Sequence, residues 1–178
     1  PEEWSWDVPQ SARLNPNIKY DTMIDPRDKQ VYKIVKIKVK EHDYSQVWMA
    51  ENLNYADSVK TPSLLKRSWC YNNKAENCAV AGRLYTWAAA IDSVKLATDA
   101  DNPQNCGFDK TWNCTLPAKV QGICPDGWHL PTETEWKTLF AEVGGELGAG
   151  KILKAQTGWN GTDSVGFSAL PAGGRDNG

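Results

Sequence analysis

Five cysteines set the strongest constraint on this chain. Cys70 and Cys78 stand eight positions apart, and so do Cys106 and Cys114. Each pair encloses a polar, turn-rich stretch, CYNNKAENC and CGFDKTWNC. Short closed loops of this kind suit disulfides, each stabilising by about 2.5 kcal/mol if chain entropy dominates. Zinc is the rival reading, but the spacing is not C-x(2–4)-C and the two histidines, His42 and His129, lie elsewhere. Disulfides Cys70–Cys78 and Cys106–Cys114 are therefore expected, and they imply an oxidising compartment: periplasm, cell surface or outside the cell. Cys124 is left over. An odd cysteine in such a protein implies a missing partner or a reactive thiol.

The length of 178 residues suits one domain with a real core. A net charge of −2, from 20 basic and 22 acidic residues, argues against a nucleic-acid binder. Apolar residues make up 40% of the chain, too many for a disordered one. No run approaches the apolar length of a membrane span. Pro1 is not a natural start, so a mature or trimmed piece is expected. Nine tryptophans against three phenylalanines is unusual. Most are expected in the core, with one or two free to stack on a sugar.

Residues 1–19 mix Pro, Asn and charge and read as an extended segment. Trp4 and Trp6 would pin it to the domain surface or dock on a neighbour. Residues 20–178 read as the domain proper. Within it, QVYKIVKIKV alternates over residues 30–39: Val35, Ile37 and Val39 point one way, and Lys36, Lys38 and Lys40 the other. That predicts a half-buried strand whose lysine row is a solvated face or a protected edge. Residues 46–50 suit its hairpin partner, with Trp48 inward. Leu84, Trp87, Ala88 and Ile91 predict a short helix over 83–92. Residues 93–121 read as an irregular excursion stapled by Cys106 and Cys114. Residues 132–143 give the clearest helix: Thr132 is the N-cap, Glu135 completes a capping box, and Gly144-Gly145 ends it. That capping role explains Glu135 without catalysis. Residues 144–178 read as a loop-dominated tail. The elements describe an α+β fold with two short helices, a small twisted antiparallel sheet and long loops.

Trp87-Ala88-Ala89-Ala90, Cys124, Gly127-Trp128-His129-Leu130-Pro131-Thr132 and Glu135-Trp136 resemble the C-type-lectin-like fold. HLPTETEW also resembles a stretch of formylglycine-generating-enzyme-like proteins, whose fold is related. The resemblance is closer still to the FISUMP family, the major paralogous domain of Fibrobacter. It rests on Asp28, Val31-Tyr32-Lys33, Val35-Lys36-Ile37, Trp48-Met49-Ala50-Glu51-Asn52-Leu53-Asn54-Tyr55, Trp69-Cys70-Tyr71 and Gly82-Arg83-Leu84-Tyr85-Thr86-Trp87-Ala88-Ala89-Ala90. It continues through Val120-Gln121-Gly122-Ile123-Cys124-Pro125 and Gly127-Trp128-His129-Leu130-Pro131 to Gly166-Phe167-Ser168-Ala169-Leu170-Pro171-Ala172-Gly173. These blocks span roughly residues 20–174. The resemblance implies an extracellular domain, often on bacterial surface lipoproteins, associated with adhesion to plant-wall polysaccharide. Similar proteins continue past the Pro-Ala-Gly block to a final strand bearing a cysteine. By that resemblance this chain lacks its C-terminal part, and the partner of Cys124 belongs to that segment.

The expected role is a non-catalytic binding module for a polysaccharide or a surface protein. By the resemblance, ligands meet the long loops after the second helix, so Trp159, Asn160, Asp163, Arg175 and Asp176 are the candidate binding residues. They read as exposed, and an aromatic face with amides and carboxylates suits a sugar. A structural part in a surface assembly is the alternative. An enzyme of the formylglycine-generating type is less expected, because it needs a late cysteine pair and all five cysteines lie at or before Cys124. No metal or other cofactor is expected. Calcium is the one admitted exception, with Asp99, Asp101 and Asn102 as clustered oxygen donors. His42 and His129 are lone, and His129 reads as a core or turn residue.

Overall fold

Alternation decides the central strand. The computed structural model describes residues 3–107 and 114–176. In it β2 (Val31–Val39) buries Val35 and Ile37 and turns Lys36 and Lys38 to solvent. It pairs antiparallel with β1 (Asp21–Ile24) on one side and β3 (Tyr44–Met49) on the other. The lysine row is thus a solvated face; the edge reading is corrected, because β2 is the middle strand. β1 was not expected, being short, half polar and followed by the Pro26 turn. A 3-10 turn, Lys40–His42, joins β2 to β3, and Asp43 closes it with φ 53°. Val35 faces Trp48 across the ladder, so Trp48 is buried as expected.

Against that face lie α4 (Glu133–Glu142) and α5 (Gly145–Leu153). Leu139 and the C-cap residue Val143 of the first, and Ala149 and Leu153 from the second, close the main core over Val35, Ile37, Trp48 and Ala50. The capping box is present in full. Thr132 Oγ1 accepts from the Glu135 N–H at 3.1 Å, and Glu135 Oε2 accepts from the Thr132 N–H at 2.9 Å.

Among the described residues, four further α-helices correct the expectation of two. α1 (Ala75–Ala81) begins inside the first disulfide loop and runs past Cys78, α3 (Ser93–Ala97) interrupts the expected excursion, and α6 (Gln156–Trp159) is a distorted turn. α2 (Trp87–Ala90) is all that remains of the helix expected over 83–92. Leu84 and Tyr85 instead form β5, paired with β4 (Ser68–Trp69). With Leu84 in a strand the helical period is broken, and Trp87 stands 61% exposed. The tail is not loop-dominated throughout, since α5 fills its first third.

Both disulfides are formed, Cys70–Cys78 and Cys106–Cys114, while Cys124 is free. This settles the choice against zinc at those pairs. The tryptophans are less buried than expected: Trp48 is in the core, whereas Trp4, Trp6, Trp69, Trp128 and Trp136 are half-buried. Trp112 lies outside the described residues.

The N-terminal segment docks on its own domain. Trp6 stacks on Tyr71 at 4.7 Å, and Trp4 meets Trp6 edge-on. Arg13 is buried, lies 4.2 Å over Trp4 and donates to the Ser5 and Thr157 carbonyls. Asn15 Nδ2 donates to the Asp163 carbonyl at 2.7 Å.

Candidate functional site

A concavity runs along the free side of β3. It holds about 980 Å³ and is partly open to solvent. One wall is the unbroken run Ser45–Leu53. Facing it are Lys119, Cys124, the segment Gly127–Pro131, the first turn of α4, Trp159 and Phe167–Leu170. Each wall has a local cause. The Trp128 N–H donates to the Pro125 carbonyl in a turn that places Gly127 at φ 83°. The chain then returns beside Val120, where the Leu130 N–H donates to the Val120 carbonyl at 2.8 Å. Ala155 and Leu153 hold Ala169 by backbone bonds, which carries Phe167 to the floor of the cleft.

That floor is aromatic. Trp136 lies 5.0 Å from Trp48 and 5.9 Å from Phe167. One end is polar and built around Glu135. Its carboxylate meets His129 Nε2 at 2.9 Å, accepts from Gln46 Nε2 at 3.2 Å, and has the Lys119 ammonium at 4.0 Å. Partial burial pushes this carboxyl up, but the Thr132 N–H and His129 outweigh it and hold it down at about 2. His129, expected as a core or turn residue, is therefore part of the cleft's polar end. The sequence held a signal for this: the capping box aims the Glu135 side chain back toward the residues before the helix.

Cys124 has the opposite bias. Burial pushes its thiol up to about 11, with Arg27 pulling weakly the other way. It is a protonated thiol at neutral pH, not a poised nucleophile.

The phase of the β3 edge follows from one bond. The Ala50 N–H donates to the Lys33 carbonyl at 2.9 Å. Hydrogen-bonded pairs alternate along an antiparallel ladder, so Trp48 and Gln46 also bond to β2. Ser45, Val47 and Met49, which alternate with the bonded residues, direct their N–H and C=O groups away from β2. Among the described residues these groups meet no backbone or side-chain partner.

The five expected binding residues do not form one site. Trp159 lines the cleft, 36% exposed, with the Lys154 ammonium 4.7 Å over its ring. Asn160 follows it, exposed, at φ 53°. Asp163 is not exposed at all. It is fully buried and accepts from the Ser168 N–H at 2.7 Å and the Ser168 hydroxyl at 2.6 Å. Arg175 and Asp176 lie elsewhere, beside β4 and β5, where Arg175 covers Trp69 at 4.5 Å and donates to Asn73 Oδ1.

The calcium alternative is overturned. Among the described residues no three His, Cys, Asp or Glu side chains gather as a metal shell. The Asp99 carboxylate accepts from the Asp101 and Asn102 N–H groups at 3.0 and 2.8 Å, so this cluster is a turn.

Residues 44–178 match the family described as the Fibrobacter succinogenes major domain. The chain belongs to this family. The family region opens at Tyr44, the first residue of β3, so it contains every wall of the cleft. The blocks quoted above from residues 28–37 fall before it. No curated protein and no solved structure matches the chain. No described helix is long and apolar enough to cross a membrane.

Proposed function

We propose that this Fibrobacter succinogenes major domain is a non-catalytic binding module of a bacterial surface protein, and that the cleft beside β3 is its ligand site. The ligand is a polymer laid along the cleft: plant-wall polysaccharide or an extended part of a partner protein. The observation that carries the reading is the cleft itself, long, open, aromatic on its floor and polar at one end. Two disulfides support an address outside the cell, on a lipoprotein or similar carrier. The relation to the C-type-lectin-like and formylglycine-generating-enzyme-like folds belongs to the same reading. It is supported by the α+β layout and by the capped helix after Gly127–Pro131. A part in a surface assembly is the second reading, favoured by the unpaired edge of β3. An enzyme of the formylglycine-generating type is disfavoured, because the free Cys124 thiol is held protonated.

Retention on cellulose and xylan tests the site, using the chain beside its Trp128→Ala and Trp159→Ala variants. Loss of one central aromatic is expected to weaken retention about tenfold. Equal retention by all three proteins would remove the cleft from the reading.

A further inference from the structure

Arg83 is a half-buried cation without a matching anion: among the described residues no carboxylate pairs with it. Its Nη2 meets the Ser68 carbonyl and hydroxyl, both at 3.4 Å, and its Nε is buried with no partner. Its Nη1 faces a disulfide, 3.6 Å from Cys70 Sγ and 3.5 Å from Cys78 Sγ. A disulfide sulfur is a weak, uncharged acceptor, whereas a thiolate is a full anion. The guanidinium therefore gains a partner of opposite charge when the bond is opened. We infer that Cys70–Cys78 is a thiol switch: a dithiol reductant outside the cell opens it, and the opened loop releases the N-terminal segment. This device does not depend on what fills the cleft.

Exposure sets the direction of attack. Cys70 is half-buried, whereas Cys78 is 5% exposed. The thiolate of the reductant attacks Cys70 Sγ, and the S–S electron pair leaves on Cys78 Sγ, as a thiolate against Arg83. A stabilised leaving thiolate departs faster. The second thiol of the reductant then attacks its own sulfur in the mixed disulfide and expels Cys70, which takes up that thiol's proton. The protein gains two electrons, the dithiol ends as a disulfide, and one proton is released to water. The other charged residues of this corner, Lys74 and Glu76 on the loop and Arg175 and Asp176 lining the hollow beside Cys70, are exposed.

Two distant segments land on this loop. Tyr71 stacks on Trp6, and its ring lies so close to Gly173 that a Cβ there would meet it at 2.5 Å. Asn73 accepts from Arg175. With the S–S bond cut, Tyr71 loses its covalent tie to the buried side of α1. Alanine in place of both cysteines removes the tie without supplying the anion, and so is no substitute for reduction.

The test equilibrates the whole chain without oxygen in graded ratios of reduced to oxidised dithiothreitol. Thiols are trapped with N-ethylmaleimide and located by peptide mass. At pH 8 Cys70–Cys78 should reach half reduction at a ratio about tenfold below that of Cys106–Cys114, a difference of about 30 mV. Between pH 7 and pH 8 its ratio should fall several-fold, because opening releases a proton. That of Cys106–Cys114 should change less than about twofold, as for ordinary thiols. Arg83→Met should erase both differences without moving Cys106–Cys114, and Arg83→Lys should restore them in part. If Arg83→Met unfolds the chain, the pH profile of the parent decides. Protein trapped with Cys70–Cys78 open should release residues 1–13 to trypsin about tenfold faster than unreduced protein. Equal ratios for the two disulfides overturn the inference. So do a flat pH profile, a ratio unmoved by Arg83→Met in a folded chain, and a fragment released no faster.

Discussion

Asp25 is fully buried, and Arg27 grips its carboxylate through Nε at 2.9 Å and Nη2 at 2.6 Å. Burial pushes this carboxyl up, but Arg27 outweighs burial and the net direction is down. A lowered carboxyl binds its proton less readily folded than unfolded. Its contribution is full above the unfolded value of about 3.9 and is lost as pH falls through the folded value. Arg27→Ala would strand the charge, at a cost of about 3–5 kcal/mol at pH 7. Urea unfolding at pH 7 and pH 3 should show that penalty shrinking in acid, where the stranded carboxylate takes up a proton. Asp163 carries the opposite sign. Burial raises its carboxyl, and the two bonds from Ser168 and the one from Asn15 only partly offset this. Between the unfolded and the raised value the folded state holds the extra proton, so this residue's contribution declines as pH rises. Asp163→Asn keeps an acceptor for the Ser168 N–H without the buried charge. Its urea midpoint at pH 7 should equal or exceed that of the parent, whereas Asp163→Ala should lose about 1–3 kcal/mol. A lower midpoint for Asp163→Asn would show that the charge itself is needed.

At the scale of elements, α4 was legible and α5 was not, for one reason. Thr132 and Glu135 announce a helix start, and Trp136, Leu139, Phe140 and Val143 repeat at helical spacing. The sequence of α5, GELGAGKIL, carries three glycines, each disfavouring a helix by about 1 kcal/mol relative to Ala. Burial of Ala149 and Leu153 under the sheet overrides that cost, and a tertiary contact is invisible in a local window. The interpretation is directly testable, because a Cβ added at Gly148 or Gly150 meets nothing within 4 Å. Gly148→Ala and Gly150→Ala should each stabilise by about 0.5–1 kcal/mol, read as an increase in thermal midpoint. A decrease would mean that these glycines serve a close approach the helix does not reveal. For α4, Glu135 should lend stability that is complete above the unfolded carboxyl value of about 4.3 and fades as pH falls toward about 2. Glu135→Gln should flatten the acid slope of stability, and an unchanged slope would remove Glu135 as its source.

On the scale of the whole molecule, the cleft escaped the sequence because its walls come from residues 45–53, 119–136 and 159–170, which only the completed fold brings together. The disulfides were legible because their partners are local, and that locality allows a clean comparison. Both close loops of the same sequence separation, 8, so a chain-entropy account gives each the same unfolded-state effect, about 2.5 kcal/mol. Any measured difference between them must come from the folded state. Cys70–Cys78 ties the end of β4 to the buried side of α1, and Arg83 Nη1 lies 3.6 and 3.5 Å from its two sulfurs. The next residue, Tyr71, carries the stacked Trp6 and with it the N-terminal segment. The Cys70→Ala/Cys78→Ala double variant should therefore lose more than the loop-closure value in urea unfolding. It should also open the bond after Arg13 to trypsin, since the Trp6 platform that helps bury Arg13 is released. The Cys106→Ala/Cys114→Ala variant should lose about 2.5 kcal/mol and keep Arg13 protected. Equal losses with equal protection would mean that the N-terminal segment is held by Arg13 and Asn15 alone, independently of the disulfide beneath it.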